Sequence, residues 1–171
     1  MIGTPYGIQA YRYSANSINK VQTQGFSIGA NYYFSKYFAF SGNYSWNKLV
    51  KTNVDDPIIP AFNTPENKYN LGFSGRDVRF NLGNTTIRNL GFNINYKWVQ
   101  GFIFEGSPQF TGYLPSYNVV DAQINLKANK WNTTFKIGAS NVFNNLHYET
   151  YGGPLIGRLF YFSLIYDWKN I

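Results

Sequence analysis

Apolar and polar residues alternate in seven separate stretches of this chain, and strict two-residue alternation fits little besides a half-covered β-strand. The first stretch, 25–34, sets Phe26, Ile28, Ala30, Tyr32 and Phe34 against Ser27, Gly29, Asn31 and Tyr33. It reaches back toward Val21 only across Gly25, which interrupts the alternation. The second runs from Tyr37 to about Asn47, with Phe38, Phe40, Gly42, Tyr44 and Trp46 on one parity. The third is short: Tyr69, Leu71 and Phe73. The fourth carries Leu90 to Trp98, the fifth Val120 to Ala128, the sixth Thr133 to Ala139 and the seventh Phe160 to Trp168. On this parity only Gly42 and Thr133 are neither apolar nor aromatic. On the other, only Tyr33, Ala39, Tyr161 and Ile165 interrupt a set of Asn, Ser, Gly, Gln, Thr and single charges. The expectation is an all-β fold of about seven antiparallel strands with one apolar face.

Composition says what that face meets. Of 171 residues, 20% are aromatic and only 13% charged, about half the roughly 25% charge of a soluble globular protein. Mean hydropathy is nevertheless negative, and no stretch approaches the ~18 apolar residues of a membrane helix. With no Cys there is no disulfide, thiolate metal site or cysteine nucleophile. The formal charge of +7 is spread over single Lys and Arg residues without a basic run, which speaks against nucleic acid.

An apolar sheet face points inward in a soluble barrel or sandwich and outward in a membrane barrel. Strand length, aromatic placement and loop lengths separate the two. The run 90–98 spans nine residues, about 30 Å at ~3.3 Å each or about 21 Å after a ~45° tilt, near the ~25 Å apolar band of membrane barrels. Phe34, Phe38, Trp131, Tyr166 and Trp168 fall near one interface and Trp46, Tyr69, Trp98 and Phe160 near the other. Ile28, Ile94, Ala122, Ile124 and Ile137 lie between, the arrangement of two aromatic girdles. Short turns at Ser35-Lys36 and Asn129-Lys130 alternate with long loops at 48–68, 101–118 and 141–159, as periplasmic turns alternate with extracellular loops. Only the connection 75–89 departs, being long where a short turn is expected. A small passive barrel or porin, and a soluble lipocalin-like barrel for a lipophilic ligand, are the alternatives.

Three segments carry a family likeness. Residues 117–125, Tyr-Asn-Val-Val-Asp-Ala-Gln-Ile-Asn, resemble the antepenultimate strand of TonB-dependent outer-membrane receptors. Residues 137–145, Ile-Gly-Ala-Ser-Asn-Val-Phe-Asn-Asn, resemble the end of their penultimate strand. Tyr151-Gly152-Gly153-Pro154, then Gly157-Arg158-Leu159-Phe160, resembles the run into their final strand. The resemblance implies a 22-stranded barrel around an N-terminal plug, importing siderophores, cobalamin, glycans or peptides with energy coupled through TonB. It also implies a place in the outer membrane of a Gram-negative bacterium. The row Phe160, Phe162, Leu164, Tyr166 and Trp168 stands where the barrel-assembly machinery reads such proteins. Implied partners are outer-membrane lipid, the remaining strands and plug, TonB through the N-terminal part, and a surface lipoprotein. The first residues carry neither a charged nor an apolar leader segment, and neither plug nor TonB box is visible. Residues 1–171 are therefore expected to be the C-terminal segment of one barrel domain, with 1–17 the tail of a loop and a piece of another strand.

No catalytic, metal or cofactor residues are expected. His147 and Glu149 are too few for a metal site, and the only His has no nucleophile motif beside it. By parity Lys97, Lys127 and Lys136 face the interior, to pair with plug carboxylates or steer an anion. Arg76, Arg79 and Arg88 gather in the anomalous connection, where solvent, lipid headgroups or a partner are open readings. The candidate ligand contacts are the loop residues Phe104, Phe110, Tyr113, His147, Tyr148 and Tyr151, with loop-on-loop packing the competing role.

Overall fold

The computed structural model describes residues 21–51, 62–83, 85–106 and 111–168. The first four strands are β1 (Val21–Tyr33), β2 (Phe38–Lys51), β3 (Asn67–Leu82) and β4 (Thr85–Val99). A small hairpin, β5 (Phe102–Glu105) and β6 (Thr111–Leu114), precedes β7 (Tyr117–Ala128). A 3-10 turn, Asn129–Trp131, leads to β8 (Thr133–Ser140), and β9 (Leu159–Tyr166) follows. Seven strands form one antiparallel sheet in the order β1-β2-β3-β4-β7-β8-β9, while β5 pairs with β6 alone. Residues 1–17, Phe110 and the run Asp55-Asp56-Pro57 lie outside the described residues.

The register keeps the alternating parity on one face from strand to strand. Ile94 lies opposite Phe73 and Ala122, Ile124 opposite Phe92 and Ile137, and Ile137 opposite Phe162. The chain does not cover this face: Ile28 is 65% exposed, Ile137 61% and Phe162 66%. Among the described residues only Val99, Leu114, Val119 and Ala139 are buried apolar side chains. Burying a Leu, Ile or Phe is worth about 1.5–3 kcal/mol, so a face this large left in water would forgo most of the drive to fold. It needs an apolar solvent.

Aromatic rings mark the two ends of that face. At the short-turn end Phe34 stacks on Phe38 (5.5 Å between centroids) and Phe40 (5.6 Å), and Phe73 meets Phe40 (4.7 Å) and Phe92 (5.2 Å). At the long-loop end Phe26 meets Trp46 (5.9 Å) and Tyr69 stacks on Trp98 (5.4 Å). Trp46 Nε1 donates to Glu66 Oε1 (3.2 Å), and the Tyr44 hydroxyl donates to Asn67. These rings keep an apolar body and a hydrogen-bonded edge, as interfacial aromatics do.

One expectation is sharpened and another corrected. β1 does reach back through Gly25 to Val21, and β2 runs on to Lys51. A Cβ at Gly25 would lie 2.6 Å from the Trp46 carbonyl oxygen, so the glycine accommodates a close backbone and does not end the strand. More substantially, the third strand is not short and 75–89 is not a long connection. β3 and β4 form one hairpin turning at Gly83.

Bulges hid that hairpin. Gly75 pairs with Phe92, Val78 with Leu90 and Phe80 with Ile87, so β3 gains a residue and β4 then gains one back. Asp77 (φ 51°) and Asn89 (φ 60°) supply the left-handed residues, a conformation that Asp and Asn tolerate best after Gly. Each extra residue flips the parity, so alternation fails while pairing continues. Asn89→Val should destabilise the hairpin by about 1–2 kcal/mol and Asn89→Gly hardly at all, as read by urea unfolding of the protein in lipid vesicles.

Candidate functional site

The face opposite the apolar one is polar and mostly uncharged. Asn70 donates to Asn43 Oδ1 (2.8 Å), Ser27 bonds Ser45 (2.8 Å), and the Tyr161 hydroxyl donates to Gln123 Oε1 (2.9 Å). The first two bonds link adjacent strands and the third passes over Gly138 of β8 to join β9 to β7. Beside them lies a shallow recess lined by Asn93, Asn95, Asp121, Gln123, Ser140 and Tyr161. At the long-loop end of this face the chain folds back on itself, and there the candidate residues gather.

Asparagines hold the β8–β9 loop. Asn141, 2% exposed and at φ 52°, donates through Nδ2 to the Asn145 carbonyl (2.9 Å) and accepts at Oδ1 from the Asn145 amide (2.9 Å). The Asp121 carboxylate on β7 accepts from the Asn141 amide (2.8 Å) and the Ser140 hydroxyl (2.7 Å). Asn145 Nδ2 reaches the Asn118 carbonyl (2.8 Å), and Asn144 (φ 55°) accepts the Arg158 amide (2.9 Å). Short side chains carrying both donor and acceptor can satisfy a turning backbone where water does not reach. The run Asn141 to Asn145 thus has a structural task.

The loop then folds over the polar face. His147 and Ile156 exchange backbone hydrogen bonds (3.3 and 2.8 Å), closing the loop tip 148–155 between them. The His147 ring is 7% exposed and stacks on Tyr117 (4.2 Å, 18°). Its Nδ1 lies 2.9 Å from the Asn145 carbonyl; a carbonyl only accepts, so Nδ1 carries the proton. Glu149 sits 3.8 Å from Lys97 Nζ and 4.0 Å from His147 Nε2, with the Lys97 ammonium 5.5 Å over the Tyr117 ring. Among the described residues no three His, Asp or Glu side chains converge as a metal site would require.

Neighbouring loops join this layer. The Asn63 side chain pairs with the Glu105 backbone in both directions (2.9 and 2.7 Å), fastening the β2–β3 loop to β5. The Tyr151 ring lies against the Cα of Gly112 on β6, where a Cβ has no room. Gly112→Ala should push that ring away at a cost of about 1–3 kcal/mol, read as faster proteolysis of the 148–155 tip with the barrel intact.

The sequence candidates therefore separate. His147 is a packing residue, Phe104 is half-buried on β5, and Tyr113, Tyr148 and Tyr151 are exposed (62%, 40% and 41%), although the Tyr113 hydroxyl lies against Gly101 and the Tyr151 ring against Gly112; Phe110 lies outside the described residues. Lys97 and Lys127 have partners within this chain, Glu149 and Asp167 (3.6 Å), instead of plug carboxylates alone. Phe160, Phe162, Leu164 and Tyr166 lie exposed along one face of β9, with Trp168 just beyond its end. Asp121, Asn141 and the Lys97–Tyr117–Glu149 contact were not singled out from sequence as site residues. Asn in a run between strands was the available signal for the first two, and the third comes only from the loop's return.

The family model described as "TonB dependent receptor-like, beta-barrel" matches residues 2–144. The match takes in β1 to β8 and the start of the asparagine-held loop. No curated protein matches the chain.

Proposed function

This chain belongs to the TonB-dependent receptor-like β-barrel family, and we propose that it forms part of the wall of an outer-membrane transporter taking up a scarce nutrient. Members of the family are outer-membrane transporters and not enzymes. The nutrient is of the siderophore, cobalamin, glycan or peptide kind, and uptake draws energy from the inner membrane through TonB. The observation that carries the reading is the one-sided sheet: an uncovered apolar face between two aromatic girdles, backed by a polar wall.

Among the described strands β1 and β9 each have one neighbour. A sheet edge cannot face lipid with its backbone groups unpaired, so further strands close the barrel at both. The domain is one barrel segment over residues 1–171, in a barrel of the 22-stranded kind around a plug. In this reading the row Phe160, Phe162, Leu164, Tyr166 and Trp168 is the part that the barrel-assembly machinery reads. Tyr113, Tyr148 and Tyr151, which stay exposed at the long-loop end, are the proposed ligand contacts, and a surface lipoprotein would meet the same loops.

An in-frame deletion, grown in turn on iron chelates, cobalamin, glycans and peptides as limiting sources, tests transport. The expected result is a growth defect on one source that equals the defect of a strain lacking TonB. Growth on that source by diffusion, indifferent to TonB, would make the protein a passive pore. Tyr148→Ala should lower uptake of that source roughly tenfold, the scale of one buried ring contact, without lowering the barrel's abundance.

A further inference from the structure

The β3–β4 hairpin passes its neighbours at the short-turn end. β2 pairs with β3 only as far as Phe38↔Gly75, and β7 with β4 only as far as Leu126↔Leu90. Residues 76–82 and 85–89 thus form a two-stranded ribbon beyond the sheet, about 20 Å long at ~3.3 Å per residue. Its pairings place Val78, Phe80 and Ile87 on the face of Phe73 and Leu90. The compensating bulges keep that apolar column continuous while increasing the twist of the ribbon. Arg79 and Arg88 occupy the other face.

The charges on this ribbon are unanswered. Arg76 Nε donates to the Lys36 carbonyl (3.2 Å), which fastens the base of the ribbon to the β1–β2 turn. Arg79 and Arg88 are exposed, and among the described residues no carboxylate lies within ion-pair distance of either. Phe80 is 53% exposed. A ribbon standing free in water would hold an uncovered Phe on one side and two unpaired guanidinium groups on the other.

We propose that this ribbon lies against the periplasmic leaflet and that Arg79 and Arg88 bind the phosphates of anionic phospholipid headgroups. The inference rests on the outer-membrane reading above. Two features favour lipid over a protein partner. The apolar side of the ribbon continues the lipid-facing column of β3 without a break, past the ring cluster of Phe34, Phe38, Phe73 and Phe92 that marks the interface. The cationic side supplies the charge that anionic headgroups complement, and planar guanidinium groups bind phosphate in bidentate fashion. An amphipathic element with arginines on its polar face is the form of an interfacial anchor.

The test uses the complete receptor in vesicles of phosphatidylcholine, or of phosphatidylcholine with phosphatidylglycerol. One label sits at Ile87→Cys on the ribbon and a reference label at Ile94→Cys in the sheet. Quenching by acyl-chain bromine reports contact with lipid, and quenching by iodide reports contact with water. At Ile87 the partition toward lipid should be greater in the anionic vesicles. Arg79→Gln with Arg88→Gln should reduce it there about fivefold per arginine, at ~1 kcal/mol for each, and should abolish the difference between the two lipids. A water-exposed Ile87 label in both vesicles overturns the proposal in favour of a periplasmic protein partner. Equal burial in both lipids with no effect of the arginine changes overturns the phosphate assignment. The Ile94 label keeps the two readings apart: if it too meets water, the membrane reading has failed.

Discussion

Ile94→Arg in the complete receptor is expected to cost about 2–4 kcal/mol of folded stability, the price of a guanidinium near the bilayer midplane. Ile94 is in the middle of β4 with Phe73 and Ala122 opposite it, so an arginine there has no polar neighbour in its row. Phe73 beside it and Phe92 two residues along the same strand offer it only apolar contact, and Trp98 lies four residues away toward the long-loop end. Ile124→Arg, next to Phe92 and Ile137, should behave alike. Asn95→Arg, one residue along the same strand, enters the polar wall and should stay within about 0.5 kcal/mol of the parent. Urea titration of the heat-modifiable folded form measures all three. Equal costs at 94 and 95 would mean that the two faces meet the same surroundings.

The second large effect is local. Asn141→Ala should destabilise the closed β8–β9 loop by about 2–5 kcal/mol. Two side-chain hydrogen bonds to the Asn145 backbone vanish, each worth about 0.5–1.5 kcal/mol. The left-handed φ of 52° adds about 1–2 kcal/mol for a residue carrying a Cβ without a local hydrogen bond. Asn141→Gly removes the same bonds but not the conformational freedom, so it should lose less. Asp121→Ala takes away the acceptor for the Asn141 amide and the Ser140 hydroxyl and should open the same loop. Limited proteolysis between 148 and 158, with the barrel still resistant, separates loop opening from unfolding. His147 should then lose its stacking on Tyr117, since the loop carries it into place.

Which parts of this were readable beforehand follows from the range of each interaction. Alternation is local, and every one of the seven stretches became a strand of one sheet, with the apolar parity on one face. The β3–β4 ribbon was missed because two bulges shift the parity twice while the register ends where it began. Asp77 and Asn89 look like loop residues, yet at positive φ they continue the hairpin. The β5–β6 hairpin, only four residues to a strand, is too short for its alternation to stand out among loop aromatics.

Site geometry depends on chain return, which spacing does not encode. Lys97 and Glu149 are half a hundred residues apart in the chain, and His147 meets Tyr117 because Asn145 and Asn141 fix the path between β8 and β9. Tyr151 rests on Gly112 while keeping 41% of its surface exposed, a contact between distant parts of the chain that spacing does not encode. Asn-rich loops look merely polar in a sequence. Here each asparagine between 141 and 145 has its own backbone partner.

The central claim, that one face of this sheet meets lipid and the other an aqueous interior, is open to a direct measurement. The 171 residues contain no Cys, so in a receptor whose other cysteines, if any, are replaced by Ser, single cysteines placed along β4 and β7 report one position at a time. Labelling of the receptor in isolated, permeabilised outer membranes with a water-soluble maleimide should alternate. Positions 93, 95, 123 and 125 should react, while 92, 94, 122 and 124 should be protected and should react only with a lipid-soluble reagent. Loss of that alternation, or protection of the apolar positions in a detergent-free soluble protein, would contradict the account.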